Sequence, residues 1–326
     1  MLSLSVLDQG RLILCLIGFL EYFLSLLRSL LRVKRHRGNS MYLVFTLTVS
    51  KEVAHLVEEE LYSIASSGWE YEERDFEVIF RFYFPLNLEK KDSALLEHLH
   101  LLSQKYDTAK VELSLQPKER WEEIWKYNFP PLKVGKRLLV LPPWEEGEEG
   151  GRVKVIIYPG QAFGTGHHAT TQLMLENLDE FLEGKETKPL RVLDMGCGSG
   201  ILAIAVAKLC PMAGILAVDI DELALSATYE NAKRNNVLSQ VKIAKEVPEE
   251  EKDKKFDLIL ANIGSKELKA LSSLFKELTK PGETYLMLSG FFKEDTEEIF
   301  RHYSKLGFKK VKSQSLREWG FLMLRS

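Results

Sequence analysis

The sequence predicts an α/β protein: a doubly wound, mainly parallel sheet of Rossmann-like type, preceded by a small α+β domain of ferredoxin-like type. From Leu190 onward, short apolar segments alternate with segments of helical periodicity, which is the pattern of a doubly wound sheet. Between Met41 and Gln116 the order of elements is β-α-β-β-α-β, the split pattern of a ferredoxin-like sandwich. The length of 326 residues agrees with two domains, since one domain typically has about 150.

The elements of the ferredoxin-like domain follow from local residue spacing. Residues 42–50 are rich in β-branched and aromatic side chains, which favours a strand. Apolar residues recur every three or four positions from Lys51 to Ser66, which favours a helix that ends before Gly68. The same criteria predict strands at 69–73, 76–84 and 110–115, and a helix at 93–104.

The elements of the doubly wound domain alternate regularly. Strands are predicted at 191–195, 214–220, 241–245, 256–263 and 283–290, with two closing strands near Lys309 and Gly320. Helices are predicted at 201–210, 222–235, 266–278 and 294–305. Ligands of such sheets bind at the carboxyl ends of the strands, so functional residues are expected in the loops that follow them.

Composition and charge exclude several classes of protein. With 45% apolar and 28% charged residues, wholesale disorder, collagen and a polytopic membrane protein are disfavoured. Cys15, Cys197 and Cys210 have no metal-ligand spacing, which argues against a zinc site or disulfide framework and favours a reducing, cytoplasmic location. The net charge of −3 gives no electrostatic case for nucleic-acid binding, but it is uneven: +4 in residues 1–40, −8 in 41–150 and +1 in 151–326.

Residues 1–40 form an apolar and basic leader. The segment Leu12–Leu31 is nearly long enough to cross a bilayer, but Glu21 and Arg28 interrupt it, and a helix here would gather its polar residues into one stripe. Two interpretations stay open: a membrane-associated or packing helix, or an upstream extension of a protein whose translation starts at Met41. A secretory signal is disfavoured because residues 1–10 lack a basic region.

These patterns divide the chain into four parts. The predicted bounds are 1–40 for the leader, 41–116 for the ferredoxin-like domain, 117–150 for a linker and 151–326 for the doubly wound domain. The linker is expected to contain a helix with Trp121 and Trp125 as packing residues one turn apart. An acidic, flexible loop at 145–151 is expected to follow.

A glycine-rich loop follows the first strand of the doubly wound domain. Gly196, Gly198 and Gly200 stand at alternate positions between Asp194 and a predicted helix, so the backbone can turn tightly and approach a ligand. Asp219 ends the next strand, where its carboxylate can accept hydrogen bonds from both hydroxyls of a ribose. The loop and Asp219 together predict a site for a nucleoside-containing cofactor.

The details of this loop favour S-adenosylmethionine over a dinucleotide. Dinucleotide-binding loops have the pattern G-x-G-x-x-G and face a pyrophosphate, whereas this loop has G-x-G-x-G after an acid. Asp194 would repel a pyrophosphate but suits a ligand with an ammonium and a sulfonium group. In the upstream segment Pro159–Thr171, Thr171 or nearby amides at a helix N-terminus can hold the cofactor's carboxylate. His167 and His168 are expected to pack or hydrogen-bond within this segment rather than bind a metal.

Four segments of the sequence have a recognisable pattern: PGQAFGTGHHATT (159–171), DMGCGSGILAIA (194–205), AVDID (217–221) and LILANI (258–263). They resemble the signature series of the bacterial ribosomal protein L11 methyltransferases, a class I S-adenosylmethionine-dependent family. The resemblance extends over 41–326, and it includes Trp121–Lys126, Pro131–Trp144 and the pair Glu318-Trp319. It implies a protein N-methyltransferase that modifies lysine side chains and the N-terminal amine of L11, with the small N-terminal domain binding L11.

The resemblance also implies site residues, with Thr171, Gly196, Asp219 and Asn262 at positions where the family binds S-adenosylmethionine. The full set of predicted cofactor-binding residues is Phe163, Gly164, Thr165, Gly166, His168, Thr171, Asp194, Gly196, Gly198, Gly200, Asp219, Ile220 and Asn262. Asn262 is also expected to position the amine, and neither a dedicated base nor a metal ion is predicted. Departures from the family's usual pattern bear on substrate positioning more than on cofactor binding, and they are Tyr158, Gln161, Ala169 and Gly264.

Two other functions stay open on the sequence alone. One is a nucleic-acid methyltransferase, for example one that methylates ribosomal RNA. Several of these enzymes have Asn-Pro-Pro-Tyr where this chain has Asn262-Ile263-Gly264, so an aromatic ring to stack a flipped base is missing here. A noncatalytic ribosome-assembly module is disfavoured by the intact loop and Asp219. The resemblance implies L11 as the partner. Direct nucleic-acid binding is not expected, membrane contact is expected only through residues 12–31 if the leader belongs to the native protein, and the chain is expected to be a monomer.

Overall fold

The computed structural model describes residues 6–7, 11–13, 41–64, 69–85, 90–106, 109–117, 129–145, 150–159, 164 and 166–326. These residues divide into two compact units. The first unit contains the described residues up to Pro117, and the second contains those from Phe129 onward. Trp121 and Trp125, and with them the predicted linker helix, lie outside the described residues.

The first unit contains an antiparallel sheet and two helices. Its described elements are β1 (Val6–Leu7), β2 (Arg11–Ile13), β3 (Met41–Ser50), α1 (Lys51–Ile64), β4 (Glu70–Glu73), β5 (Glu77–Pro85), α2 (Lys90–Lys105) and β6 (Lys110–Pro117). The strands lie in the order β1-β2-β6-β3-β5-β4, and neighbouring strands are antiparallel throughout.

The sheet and both helices of the first unit share one hydrophobic core. Along β3, the alternate residues Leu43, Phe45, Leu47 and Val49 are buried in it, as expected for a strand whose side chains point to opposite faces in turn. The helical residues that complete this core recur mostly every three or four positions, and they include Ala54, Val57, Leu61, Leu95, Leu99 and Leu102. The two periodicities in the sequence therefore meet in one core.

The predicted order of elements from Met41 to Pro117 is confirmed. In the leader, Arg11–Ile13 is a strand with Leu12 opposite Leu113 of β6, so the helix that one interpretation placed over Leu12–Leu31 does not include its first two residues. The edge of β6 supplies backbone hydrogen-bond partners, which local helical spacing does not reveal. The rest of that predicted helix lies outside the described residues. Within the part of the chain that the structure describes, every helix is too short or too polar to cross a membrane.

The second unit combines two sheets with helices. Its described elements are β7 (Leu132–Val134), β8 (Leu138–Leu141), β9 (Val153–Ile156), α3 (Ala169–Leu182), β10 (Arg191–Met195), α4 (Ile201–Leu209), β11 (Gly214–Val218), α5 (Glu222–Arg234), β12 (Val241–Ala244), α6 (Glu249–Lys252), β13 (Leu258–Asn262), α7 (Ser265–Glu277), β14 (Tyr285–Phe292), α8 (Thr296–Ser304), β15 (Lys309–Leu316) and β16 (Trp319–Arg325). A short 3-10 turn, Lys293–Asp295, precedes α8.

The large sheet of the second unit is mixed, with strand order β12-β11-β10-β13-β14-β16-β15. Strands β10 to β14 are parallel to one another, and β16 pairs antiparallel with both β14 and β15. The chain crosses from one side of β10 to the other between β12 and β13. This change of direction opens a crevice at the carboxyl ends of β10 and β13, where doubly wound sheets bind their ligands.

The parallel strands have nearly continuous apolar sequences because both faces of the sheet are covered. Four residues of β10 and the first four of β13 are buried, and α4 is apolar on every side and buried along its length except at Lys208. The predicted doubly wound sheet is therefore confirmed, with bounds that differ from those predicted by a few residues.

A second, three-stranded sheet begins within the segment predicted as linker, 117–150, which contains β7 and β8, while β9 lies in the segment predicted as the doubly wound domain. Strand β8 pairs antiparallel with β7 and parallel with β9, so the described part of 129–145 belongs to the second unit. All four residues of β8 are buried. Arg137 fixes this sheet to α3, because its Nε donates to Asp179 Oδ1 at 2.6 Å and its backbone N–H donates to Oδ2 at 3.1 Å. This pairing joins residues 42 positions apart, and local spacing therefore could not predict it.

Candidate active site

The loop that joins β10 to α4 turns at its glycines. Gly196, Gly198 and Gly200 have φ angles of +73°, +53° and +79°, which L side chains rarely adopt. A Cβ at Gly196 would lie 2.3 Å from Cγ2 of Ile263, the residue that follows β13. The loop therefore needs glycine both for its conformation and for its close approach to the neighbouring strand.

Asp219 follows β11 and contacts the glycine loop directly. Its Oδ2 accepts the Gly198 N–H at 2.9 Å, and its Oδ1 accepts the Asp221 N–H at 3.0 Å. Burial raises the pKa of this carboxyl above its ordinary value. A carboxylate oxygen can accept more than one hydrogen bond, so both oxygens can still receive hydroxyl donors. The next residue, Ile220, is 84% exposed and is an apolar side chain beside this acceptor.

Asp194 lies within β10, beneath the glycine loop, and is 1% exposed. Its Oδ2 accepts the Ala203 N–H at 3.0 Å, while its buried Oδ1 has no hydrogen-bond partner among the described residues. Burial raises the pKa of this carboxyl to about 7, and the charge of Asp219 also raises it. An unsatisfied buried carboxylate oxygen is costly in free energy, so a cation or a hydrogen-bond donor beside it would be favoured.

Asn262 is the last residue of β13, and its amide lies beside α3. Its Nδ2 is 3.4 Å from Thr171 Oγ1, a long and weak hydrogen bond, and Thr171 is fully buried. The buried Asn262 Oδ1 has no partner among the described residues. The sheet thus presents two unsatisfied acceptor oxygens near the ends of neighbouring strands, one on β10 and one on β13.

Hydrogen bonds and ring contacts position the two histidines that precede α3. His168 is the N-cap of α3, and its Nδ1 lies 3.3 Å from the Thr170 N–H and 2.7 Å from the Thr170 hydroxyl. Its ring stands edge-on to Trp319 at 4.9 Å between ring centroids, and Trp319 stacks on Phe292 at 4.6 Å. The Nε2 of His167 lies 3.0 Å from the Pro130 carbonyl. Both histidines therefore have the packing and hydrogen-bonding roles that the sequence predicts.

Comparison with known families decides the classification. The model of the family "Ribosomal protein L11 methyltransferase (PrmA)" matches residues 41–326. The chain belongs to this family. The match begins at the first residue of β3, so the leader lies outside it.

Individual members of the family agree with this result. The ribosomal protein L11 methyltransferase of Photobacterium profundum is 40% identical over 185 residues, which cover 56% of this chain and 60% of that protein. The one from Shewanella pealeana is 40% identical over 212 residues, covering 65% and 70% of the two chains. The first of these alignments thus spans less than two thirds of the relative's length.

A solved structure of the family is also similar. The crystal structure of ribosomal protein L11 methylase from Lactobacillus delbrueckii subsp. bulgaricus is 28% identical, with a TM-score of 0.52. The comparison covers 61% of this chain and all of the solved chain. It supports the α/β methyltransferase fold with a mixed sheet.

The structure brings most of the predicted site residues of this family member together around one crevice. Nine of them lie near the ends of β10, β11 and β13, in the loops that follow these strands, or at the start of α3. These are His168, Thr171, Asp194, Gly196, Gly198, Gly200, Asp219, Ile220 and Asn262. Gly164 contacts the glycine loop through Ser199, and Gly166 packs closely on β8, since a Cβ there would lie 3.0 Å from Val140 Cγ1. Phe163 and Thr165 lie outside the described residues.

Sequence reasoning missed three polar residues that support the crevice. Ser199 stands inside the glycine loop, so its position was a usable signal. Thr228 and Asn231 lie on α5, about 30 residues further along, and hydrogen-bond to the carbonyls of Gly198 and Ser199. Local sequence gives no signal for these contacts, because only the folded sheet brings α5 against the loop.

Proposed function

We propose that this chain is an S-adenosylmethionine-dependent protein N-methyltransferase that methylates lysine side chains and the N-terminal amine of ribosomal protein L11. Membership of the family supports this proposal. The observation on which it chiefly depends is the pair of buried, unsatisfied acceptor oxygens, Asp194 Oδ1 and Asn262 Oδ1. A site for a cationic cofactor and an amine substrate needs acceptors of this kind, whereas a site for a pyrophosphate does not.

The residues of the crevice fit S-adenosylmethionine. Asp219 has the carboxylate to accept both ribose hydroxyls, and the exposed Ile220 beside it offers an apolar surface to the adenine ring. Asp194 would face the cationic end of the cofactor, and the N-terminus of α3 at Thr171 would hold its carboxylate. We therefore assign cofactor binding to the residues predicted from the sequence, including the loop residues Phe163, Gly164, Thr165 and Gly166 and the turn residues Gly196, Gly198 and Gly200.

When bound, S-adenosylmethionine supplies a methyl group that is activated by its sulfonium centre. The chain must then hold a neutral amine in line with that methyl group and exclude water from it. Asn262 Oδ1 is a buried acceptor that would accept an N–H of the amine and so restrict the direction of its lone pair. A lysine amine has an unperturbed pKa near 10.4, so it must lose a proton to solvent before it reacts, and desolvation of the amine on binding would favour that loss.

For the first unit we infer a ferredoxin-like fold and a role in binding the protein substrate. The strand order β6-β3-β5-β4 and the antiparallel pairing support this fold. The charge of −8 over residues 41–150 supports a basic partner, because opposite charge speeds association. The inferred division is 41–116 for substrate recognition and 151–326 for catalysis, with the strands at 132–141 added to the catalytic part.

A cytoplasmic location is part of this proposal. Cys197 and Cys210 are free, buried thiols, as is usual for proteins of reducing compartments. Ribosomal proteins, the proposed substrates, also occur in that compartment.

Methyl transfer can be tested with isotopically labelled cofactor. The full-length protein is incubated with S-adenosylmethionine labelled in its methyl group and with separated ribosomal proteins and ribosomal RNA. We expect label in L11, on lysine residues and the N-terminal amine, as mapped by peptide mass spectrometry. An Asp219→Ala variant is the control for label that does not depend on the crevice.

Two outcomes would contradict the proposal. Label in RNA alone would assign the chain to nucleic-acid methylation. If calorimetry detects no binding of S-adenosylmethionine, the result would favour a noncatalytic module that keeps the fold.

A further inference from the structure

A buried polar face of α5 contacts the glycine loop. Thr228 Oγ1 donates to the Gly198 carbonyl at 2.9 Å, and Asn231 Nδ2 donates to the Ser199 carbonyl at 2.9 Å. Both side chains are at most 1% exposed. Because the Gly198 N–H also donates to Asp219, three backbone polar groups of the loop are fixed by side chains from outside it.

Asn231 also contacts the chain where it leaves β9. Its Oδ1 accepts the Tyr158 N–H at 2.9 Å. One turn later, Asn235 Oδ1 accepts the Ile156 N–H at 2.9 Å, and Asn235 Nδ2 donates to the Ile156 carbonyl at 2.6 Å. The backbone is therefore fixed to α5 just before segment 159–171 begins.

Ser199 makes a second link between the glycine loop and this segment. Its hydroxyl donates to the Gly164 carbonyl at 2.5 Å, and Ser199 is 1% exposed. A Cβ at Gly164 would lie 3.1 Å from Ser199 Oγ, so the backbone at Gly164 is in close contact with the glycine loop. Asn231 and Ser199 thus connect the glycine loop to two described points, Tyr158 just before segment 159–171 and Gly164 within it.

We propose that Asn231 is a positioning residue for cofactor binding, which holds the glycine loop and the backbone at Tyr158 in one relative position, with Ser199 doing the same at Gly164. This inference rests on the proposed function, since the ligand concerned is S-adenosylmethionine. Asn231 acts from beneath the loop: both of its polar side-chain atoms bond to backbone.

The amide of Asn231 suits this role because it supplies a donor and an acceptor on adjacent atoms. Asn231→Ala would remove the side-chain partner of the Ser199 carbonyl and of the Tyr158 N–H. Because Ser199 is buried, the lost bond is costly, and the loop and the backbone at Tyr158 would separate from their binding position. Asn231→Asp would keep the acceptor for Tyr158 but would set a carboxylate oxygen against the Ser199 carbonyl. In both variants, part of the free energy of cofactor binding is used to restore the binding position, so the observed affinity falls. The chemistry of the bound state is unchanged.

Calorimetric titration of the full chain with S-adenosylmethionine tests this inference. The matched control is Asn177→Ala, because Asn177 is also a fully buried helical asparagine, whose Nδ2 donates to the Leu173 carbonyl and to Gln314 Oε1. Neither of these partners belongs to the glycine loop, and loss of the Asn177 side chain should lower the melting temperature to a similar extent. We expect the Kd of Asn231→Ala to rise about 10-fold or more and that of Asn177→Ala to change less than about 2-fold.

Two further measurements separate positioning from a general loss of stability. In Asn231→Ala, kcat at saturating cofactor should stay near the parent value while KM for the cofactor rises. Without cofactor, hydrogen exchange at 156–158 and 198–200 should become faster in Asn231→Ala and stay unchanged in Asn177→Ala. If Asn231→Ala does not fold, Ser199→Ala decides, with an expected rise in Kd of about 3-fold or more.

The outcomes distinguish this inference from the proposed function. A parent protein that does not bind S-adenosylmethionine contradicts the proposed function. A parent protein that binds it, with Asn231→Ala and Ser199→Ala binding equally well, contradicts only the positioning role. Equal losses of affinity in Asn231→Ala and Asn177→Ala would also overturn it.

Discussion

Asp194 holds a carboxyl group where solvent cannot reach it, and its protonation should couple cofactor binding to pH. Burial raises its pKa from 3.8 to about 7. Between pH 3.8 and about pH 7 the Asp194 carboxyl is protonated in the folded protein and ionised in the unfolded chain. The stability of the cofactor-free protein therefore falls as the pH rises through this range. The full shift corresponds to roughly 4 kcal/mol above pH 7. A cation beside Oδ1 favours the carboxylate, so cofactor binding should release the proton below about pH 7.

We expect the affinity for S-adenosylmethionine to increase with pH from about 5.5 to 7, by at most about 10-fold per unit, and then to level off. Calorimetry in two buffers of different ionisation enthalpy would count the protons released. Asp194→Asn should bind more weakly and lose this part of the pH dependence. The same slope in Asp194→Asn and in the parent protein would contradict the assignment of Asp194 to the cationic end.

Asp219 should act on affinity through its hydrogen bonds. Asp219→Ala removes the acceptors for two hydroxyls and the bond from the Gly198 N–H, so we expect cofactor binding to weaken by about 1–3 kcal/mol. Asp221→Ala is the matched control, because the Asp221 side chain accepts the Leu223 N–H as the N-cap of α5 and has no hydrogen bond to the glycine loop among the described residues. Calorimetry should show nearly unchanged affinity in that control. An unchanged affinity in Asp219→Ala would refute its ribose role.

At the scale of elements, the close approach of the glycine loop to the end of β13 should limit substitution. Gly196→Ala places a methyl group 2.3 Å from Ile263 Cγ2 at a φ of +73°. Gly282 has nearly the same φ, +72°, with no atom within 4 Å of its Cβ position. Gly282→Ala therefore shows the cost of conformation alone, about 1 kcal/mol, and Gly196→Ala should cost about 1–3 kcal/mol more through overpacking.

Denaturant unfolding of both glycine variants would measure this difference. Adding Ile263→Ala to Gly196→Ala removes the clashing methyl group, and the penalty of the double variant should be smaller than the sum of the two single penalties. Equal destabilisation by Gly196→Ala and Gly282→Ala would show that the contact with Ile263 is unimportant.

What could be predicted from the sequence at this scale depended on how local the signal was. The strand β10, the glycine loop and Asp219 lie within 29 residues and follow one pattern, so their arrangement was predictable. The three-stranded sheet β7-β8-β9 was not, because β8 pairs in parallel with β9 across an acidic segment that resembles a linker. The contact of Arg11–Ile13 with β6 joins residues about 100 positions apart, and only the free edge of β6 explains it.

At the scale of the whole molecule, charge is distributed unevenly along the chain. Residues 41–150 have a net charge of −8, and residues 151–326 have +1. If the first unit attracts a basic protein, the association rate should depend on ionic strength, because the Debye length falls from about 8 Å at physiological salt to about 3 Å at 1 M. Binding of the small cofactor in a partly buried crevice should depend much less on salt.

We therefore expect kcat/KM for L11 to fall several-fold between about 50 and 500 mM KCl, with KM for S-adenosylmethionine changing less than about 2-fold. Neutralising three exposed acids of the first unit, in Glu52→Gln, Asp75→Asn and Glu97→Gln combined, should lower kcat/KM at low salt and flatten its salt dependence. Steady-state kinetics with purified L11 would measure both effects.

The control changes the same number of charges in the second unit. Glu230→Gln, Glu277→Gln and Glu283→Gln combined also remove three exposed acids, so the net charge of the chain becomes the same in both triple variants. If total charge sets the association rate, the two variants should slow it equally. If the acidity of the first unit does so, only the first variant should lose most of the salt dependence, because steering depends on where the opposite charges meet. Equal effects would therefore remove the electrostatic support for substrate binding by the first unit, while methylation by the second unit would stand.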